Sequence, residues 1–447
     1  MSKKYFKVLK IALPAVGEML LYMLVFVSDT AFIGHWGGND AVSAVGLSTE
    51  LIYTITGIII TIGLSTAITT MVAQSYGAKK INTVEKYLSS GFFFGFFISL
   101  IVSTFIFLFS KNILIILGAK KIVLSYGLSY TKIVAFGSVF QMLVSLLSSG
   151  LRGIGNTFMS MISALIINTI NIILDWIFIF GKFGFPEMGV KGAAIATSLA
   201  AIIGFLFLVF YYVFFSKVKI RFKYIKNLNK KYILKLFYLA VPSGLQEGAF
   251  SLARLLSVSW VLSGLGKLSA STNQIVTTIE SISFMPGWGF SVAATALVGQ
   301  MIGAKDYKKA KEYANISALM GTVIMSFFGI LFILIPKLFM NFFITDPKTI
   351  ELGVLCLIVT AFEQPTMAIS MIYGGSLKGA GDTKTPFKVS LFTNWGIRLP
   401  LIFIIIFILK LNLVYVWGAM VIQWFIDALL KYNFFKNFLS SKIKLNI

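Results

Sequence analysis

The sequence predicts an all-α polytopic membrane protein with twelve transmembrane helices in two six-helix bundles, related by a pseudo-two-fold axis along the membrane normal. Three observations predict it. Of 447 residues, 57% are hydrophobic and 12% charged, against about 45–50% and about 25% in soluble domains. Apolar runs of roughly 20 residues, the length that crosses a hydrocarbon core of about 30 Å, recur along the whole chain. The second half also repeats the first at a fixed offset. No short alternating strands of a membrane barrel are visible.

Reading apolar runs between polar breaks places the spans at 11–34, 50–75, 91–117, 124–149, 158–181, 190–215, 232–262, 272–300, 313–340, 350–375, 387–409 and 413–435. With both termini in the cytoplasm, and with basic residues near a span end assigned to the adjoining loop, 27 Lys/Arg fall on the inner side and nine on the outer side, leaving Lys132, Arg254 and Arg398 deep within spans. This asymmetry sets the orientation and predicts a multi-pass protein of a bacterial-type plasma membrane. The net charge of +23 therefore records topology, and no nucleic-acid partner is expected. The one cysteine, Cys356, lies inside an apolar run, and His35 is the one histidine. A disulfide framework is excluded, and a zinc or haem site built from His and Cys is not expected. The first apolar run is too long for a signal-peptide core and is expected to remain as the first span.

The densest basic stretch is "SKVKIRFKYIKNLNKK", residues 216–231. It reads as a solvated linker that also sets topology, with anionic-lipid binding as the alternative. The expected organisation is an N-lobe at 1–216, a basic cytoplasmic linker at 217–231 and a C-lobe at 232–447. The lobes repeat: "AQSYGAK" at 73–79 matches "GQMIGAK" at 299–305, and "LRGIGNT" at 151–157 matches "LKGAGDT" at 377–383. Asn168 matches Asn394 and Gly192-Ala193 matches Gly418-Ala419, all at an offset of 226. Six spans per repeat is an even number, so both halves enter the membrane the same way round, with a substrate path expected between them.

At the same offset Asp29 maps to Leu255, Asn171 to Ile397, Asp175 to Leu401 and Thr197 to Gln423. An acidic, cation-competent cluster is thus confined to the first half. Asn168, Asn171 and Asp175 are spaced by three and four, so they form one stripe on one helix face. A charge near the bilayer midplane costs about 2.5–3.5 kcal/mol on insertion scales. Asp29 and Asp175 must therefore face a hydrated cavity, bind a cation or carry a proton, and hard oxygen ligands suit Na⁺. The bland alternative is interhelical hydrogen bonding, which for Asn168 weighs as much as a functional role. Glu247, Glu280 and Glu363 are candidates for lining a cavity, with packing the equal alternative. Glu247 and Arg254 could neutralise each other on one helix face, and Arg398 and Asp427 could form a structural pair.

The chain resembles the multidrug and toxic compound extrusion (MATE) transporters over residues 11–435. The resemblance rests on "LPAVGEMLLYMLVFVSDTAFIG", "MVAQSYGAK", "LRGIGNT", "NIILDWIFIFGKFGFPEMGVKGAAIAT", "FMPGWGFSVAATALVGQMIGAK" and "LKGAGDTKTP", in this order. It implies two six-helix lobes and export of organic, often cationic or aromatic compounds in exchange for Na⁺ or H⁺. It also implies cation ligands at Asp29, Asn171, Asp175 and Thr197, and a helix-bending proline at Pro14. In the NorM-like branch a glutamate follows the seventh-helix proline by eight residues and an aspartate stands in the tenth helix. Those positions here are Phe250 and Met367, so the DinF-like branch is the better match. The expected partners are small organic molecules and the bilayer, the coupling ion is Na⁺ or H⁺, no cofactor is expected, and the chain is expected to act as a monomer. The alternative is a flippase of lipid-linked oligosaccharides, which would favour a strongly cationic cavity. A membrane-embedded enzyme would need a convergent nucleophile, base or metal set that this sequence does not offer.

Overall fold

The computed structural model describes residues 3–221, 223–226 and 230–444. Ten helices in it are long and apolar enough to cross a membrane: α1 Lys3–Gly77, α2 Ile81–Ile116, α3 Lys121–Ile154, α4 Thr157–Phe180, α5 Val190–Phe214, α6 Lys230–Gly303, α7 Tyr307–Leu334, α8 Pro347–Gly379, α9 Lys384–Ile408 and α10 Leu413–Ser441. Helices α1 and α6 each hold two of the expected spans. Gly38 (φ 61°, ψ −153°) and Gly266 (φ 80°, ψ −177°) turn the chain inside them. This backbone region is open essentially to glycine alone, so dividing the two helices there restores twelve spans. The ninth span stops sooner than the sequence suggests. Helix α7 ends at Leu334, and Pro336 opens a separate short helix, Pro336–Phe343, because proline suits a first turn and breaks an interior one.

The exposed faces identify the solvent. On α7, Leu319, Val323, Phe327, Ile330 and Leu334 recur at helical spacing and are each 53–69% exposed. A stripe this apolar and this open is stable only against hydrocarbon.

The repeat is copied down to single hydrogen bonds. Ser65 and Thr69 of α1 donate to the carbonyls of Ser145 and Ser149 on α3, at 3.4 and 3.0 Å. At an offset of 226, Ser291 and Thr295 of α6 donate to Met371 and Gly375 on α8, at 2.8 and 2.9 Å. The shared "LRGIGNT" and "LKGAGDT" motifs are helix-to-helix turns. Gly155 (φ 86°) and Gly381 (φ 92°) leave the helix through the left-handed region. Asn156 then accepts from the N–H of Met159, and Asp382 from that of Thr385, as helix caps do. Glycines let the paired helices close. A Cβ on Gly379 would lie 2.3 Å from the Thr295 carbonyl oxygen. Gly379→Ala is expected to destabilise the purified protein by about 1–3 kcal/mol, read as a lowered melting temperature in detergent; an unchanged melt would contradict the close approach.

The structure corrects one mapping. The helix-breaking glycines are 228 apart, as are Pro14 and Pro242, whereas the later landmarks are 226 apart. The first half thus carries two extra residues in the interval that holds the π-helical segment Gly57–Leu64, whose wider turns accommodate insertions. The counterpart of Asp29 is then Ser257 rather than Leu255. Its hydroxyl donates to the Ala253 carbonyl of its own helix at 2.8 Å, so the acid is still not copied.

Two compact units result, Gly17–Gly244 and Met1–Val16 with Leu245–Ile447. Their boundaries fall within α1 and α6 and not at residues 216 and 232. Burial explains the shift: Val8, Ile11 and Ala12 share a core with Phe290, Ala294 and Leu377, while Leu236 and Leu239 join the core of Leu88 and Leu146. The chain leaves one unit two residues after Pro14 and returns two residues after Pro242. A proline inside a helix removes one backbone donor from the ladder, and Pro14 sits inside α1.

The basic stretch is less free than its charge suggests. Arg221 pairs with Glu85 of α2 and its N–H bonds to Ser89 at 2.9 Å, while the Lys219 N–H bonds to Glu85 at 3.2 Å. Residues 222 and 227–229 of that stretch lie outside the described residues. Deeper in the first unit, Glu18 of α1 is fully buried and pairs with Arg152 of α3 at 2.7 Å, an ion pair that no spacing along the chain records.

Candidate cation site in the Gly17–Gly244 unit

The site is assembled from four helices of one unit. Asp29 stands on α1 before the Gly38 corner, Asn171 and Asp175 on α4, Tyr130 on α3 and Thr197 on α5. Asn171 and Asp175 are one helical turn apart, so both side chains leave the same face. Both are buried, as is Asp29. The Asp29 carboxyl meets the Asp175 carboxyl and the Asn171 side chain, and Asp175 meets both in turn. Neither Asp175 oxygen, nor Oδ1 of Asp29, nor either amide atom of Asn171 has a properly aligned hydrogen-bond partner. Carboxylates facing each other offer oxygens and no donor. A proton or a hard monovalent cation would supply positive charge to such a pair.

Thr197 joins this group through Tyr130. The Tyr130 hydroxyl reaches both Thr197 and Thr49 and lies in the field of Asp29 and Asp175. Thr197 donates its own proton to the Ala193 carbonyl at 3.0 Å. Tyr130 and Thr49 are additions from the structure. Tyr130 carries no period or motif that would distinguish it from a packed aromatic, and Thr49 lies beyond the corner at Gly38. If the cluster holds Na⁺, Tyr130→Phe is expected to leave folding intact and weaken that binding, measured by isothermal titration; equal affinity would remove Tyr130 from the candidate site.

Asn168 behaves differently from its neighbours. Its amide donates to the Ala164 carbonyl one turn back at 2.9 Å, and its repeat partner Asn394 donates to Ser390 at 2.8 Å. The same bond at the same place in both halves marks a scaffold element.

The remaining candidates lie in the other unit. Glu280 of α6 and Glu363 of α8 meet side chain to side chain, with Arg398 of α9 beside them. Glu247 is half-buried in the fields of Lys378 first and Arg254 second, so Arg254 is not its only counter-charge. The expected Arg398–Asp427 pair does not form. Asp427 bonds instead to Lys431, one turn along its own helix, at 2.5 Å, and accepts from Ser370 and Thr393 at 2.5 and 2.7 Å. A cavity of about 430 Å³ in this unit is lined by Thr322, Thr366, Tyr373, Phe425 and Tyr432 among others, and none of the candidate acids borders it.

The family model described as MatE matches residues 14–177 and again 242–404, so each half carries one copy. The chain belongs to the MatE family. A probable multidrug resistance protein NorM of Thermotoga maritima is 31% identical over 435 residues, covering 96% of this chain and 91% of that protein. The uncharacterized transporter YisQ of Bacillus subtilis is 26% identical, covering 97% and 94%. Among solved structures, a MOP superfamily transporter from Pyrococcus furiosus has a TM-score of 0.90 at 18% identity, covering 98% of this chain and 96% of that one. An outward-facing multidrug resistance MATE family transporter has a TM-score of 0.89 at 19% identity, covering 99% and 97%. At these identities the structures share the fold. The family is one of membrane transporters and not of enzymes.

Proposed function

We propose that this MatE-family chain is a cation-coupled antiporter that exports organic, often cationic or aromatic compounds, driven by entry of Na⁺ or H⁺ at Asp29, Asn171 and Asp175. One observation carries the reading: two buried carboxyls from separate helices meet beside a single amide, Asn171, and neither Asp175 oxygen nor Oδ1 of Asp29 has an aligned hydrogen-bond donor. Thr197 belongs to the shell through Tyr130, and Asn168 holds the helix. A driver can bias two conformations only through its different affinity for them. The site meets that condition when the contact between α1 and α4 changes as access alternates, because Asp29 and Asp175 then hold one ion together or separately. The protein works as a monomer in a bacterial plasma membrane with both termini cytoplasmic. The names of its relatives as multidrug resistance proteins support the substrate class. The flippase alternative asks for a cationic cavity and gains nothing from a pair of carboxylates. Purified protein in liposomes loaded with a cationic dye tests the proposal. Dye movement should follow an imposed Na⁺ or pH gradient and stop when the gradient is collapsed; movement indifferent to both gradients would refute coupling.

A further inference from the structure

Thr322 and Thr366 stand where the first half carries phenylalanine. At the repeat offset they correspond to Phe96 and Phe140, and the Phe140 ring packs edge-on against Phe205 at 5.6 Å. In the second half the smaller threonines leave space, and the cavity of about 430 Å³ lies there, among α7, α8 and α10. Its lining gives it a direction. Asn315, Tyr373 and Tyr432 make one end: the Tyr373 hydroxyl donates to Asn315 Oδ1 at 2.9 Å, and its ring meets that of Tyr432 at 5.1 Å. Thr322, Thr366 and Phe425 line it two turns further along each helix, about 10 Å away.

The groove is apolar and open to hydrocarbon. Leu319, Phe425 and Leu429 line it and are 50–57% exposed. The hydroxyls at the deep end ask for no polar ligand. Thr366 donates to the Glu363 carbonyl at 2.9 Å. Thr322 lacks an aligned partner but has the Ala318 carbonyl one turn back, the usual acceptor for a helical threonine.

The other end leads to positive charge. Lys311 stands one turn beyond Asn315 on the same face of α7, and Lys436 one turn beyond Tyr432 on the same face of α10. Both are exposed. They lie just outside the apolar runs 313–340 and 413–435, at head-group depth, on the side that the charge asymmetry assigns to the cytoplasm. The acids of that stretch of α7 do not cancel them, because Asp306 pairs with Lys309 at 2.7 Å and Glu312 with Lys4 at 2.5 Å. Asn315 accepts through Oδ1, which leaves its amide N–H groups to donate. An organic cation would be repelled by these lysines, whereas a negative head group is attracted.

We propose that this groove holds one acyl chain of an anionic phospholipid, with its phosphate paired to Lys311 and Lys436 and its ester carbonyl accepting from Asn315. The site lies within one unit and does not rest on the coupling role given to Asp29 and Asp175.

Native mass spectrometry of the full-length protein in detergent tests it by titration with phosphatidylglycerol or phosphatidylcholine of the same chains. Wild type should take up one phosphatidylglycerol at least about tenfold more tightly than phosphatidylcholine. Lys311→Gln with Lys436→Gln should abolish that preference, while Lys348→Gln, at the far end of α8, should keep it. Thr322→Phe with Thr366→Phe should fill the groove and remove the tight lipid. A phosphatidylglycerol with a photoreactive diazirine in its acyl chain needs no variant: in wild type it should label peptides containing Leu319 or Leu429. Equal affinity for the two lipids, a preference that survives the double glutamine variant, or labelling spread evenly over exposed helices would overturn the proposal. Displacement of the lipid by inorganic phosphate would also overturn it, by marking a site for a free anion.

Discussion

Asp175→Asn and Asp29→Asn should each reduce gradient-driven dye efflux in liposomes to the leak of protein-free vesicles, while the protein still reaches the membrane and folds. The two halves of this expectation come from different terms. Asparagine nearly matches aspartate in shape, so packing among α1, α3 and α4 is kept. Removing the charge also removes an insertion cost of about 2.5–3.5 kcal/mol, so the melting temperature should hold or rise. On the proposed reading, what is lost is the negative charge that would bind the ion, and with it the difference in affinity between conformations that coupling requires. Efflux at wild-type rates from either variant would refute the site. Loss of efflux together with loss of folding would instead show that the carboxyls hold the helices together.

Arg152→Gln should be the most damaging of the substitutions for stability. Glu18 is fully buried and its partner lies at 2.7 Å. Breaking a buried ion pair from one side typically costs about 3–5 kcal/mol, because the remaining charge has no solvent to return to. The variant should express poorly and lose most of its thermal unfolding transition. Replacing both partners, Glu18→Gln with Arg152→Gln, should recover most of that loss, since neither side is then left charged. Equal damage in the single and double variants would show that Arg152 acts through contacts other than Glu18.

The two predictions differ in how much of each was legible in the sequence. The grouping of residues in the candidate site was partly readable. Asn171 and Asp175 sit one turn apart on a single span, and helical periodicity alone puts them on one face. The absence of their acids from the second half set them apart from the scaffold. The Glu18–Arg152 pair was not readable in that way. Its members are separated by 134 residues, and Arg152 lies in a shared motif whose glycine and cap residues account for the repeat without it.

Misreadings have the same origin. The single offset of 226 gave Asp29 the wrong counterpart because two residues more separate Gly38 from the later landmarks in the first half than separate Gly266 from them in the second. The pairing of Arg398 with Asp427 failed because Lys431 lies one turn from Asp427 on the same helix and reaches it first. The boundaries at 216 and 232 followed charge, whereas the compact units follow burial.

By itself, the sequence determined what depends on short-range regularity: the membrane environment, the twelve spans, the duplication, and the face that presents Asn171 and Asp175. Apolar run length and the 3.6-residue period are properties of one helix at a time. Only the tertiary structure decided which helices meet. It brought Tyr130 to Thr197 and Thr49, Glu363 to Glu280, and Glu18 to Arg152. Such meetings depend on how close two helices can come, which small residues such as Gly379 set at each crossing, and no pattern along one helix records the far side of that contact.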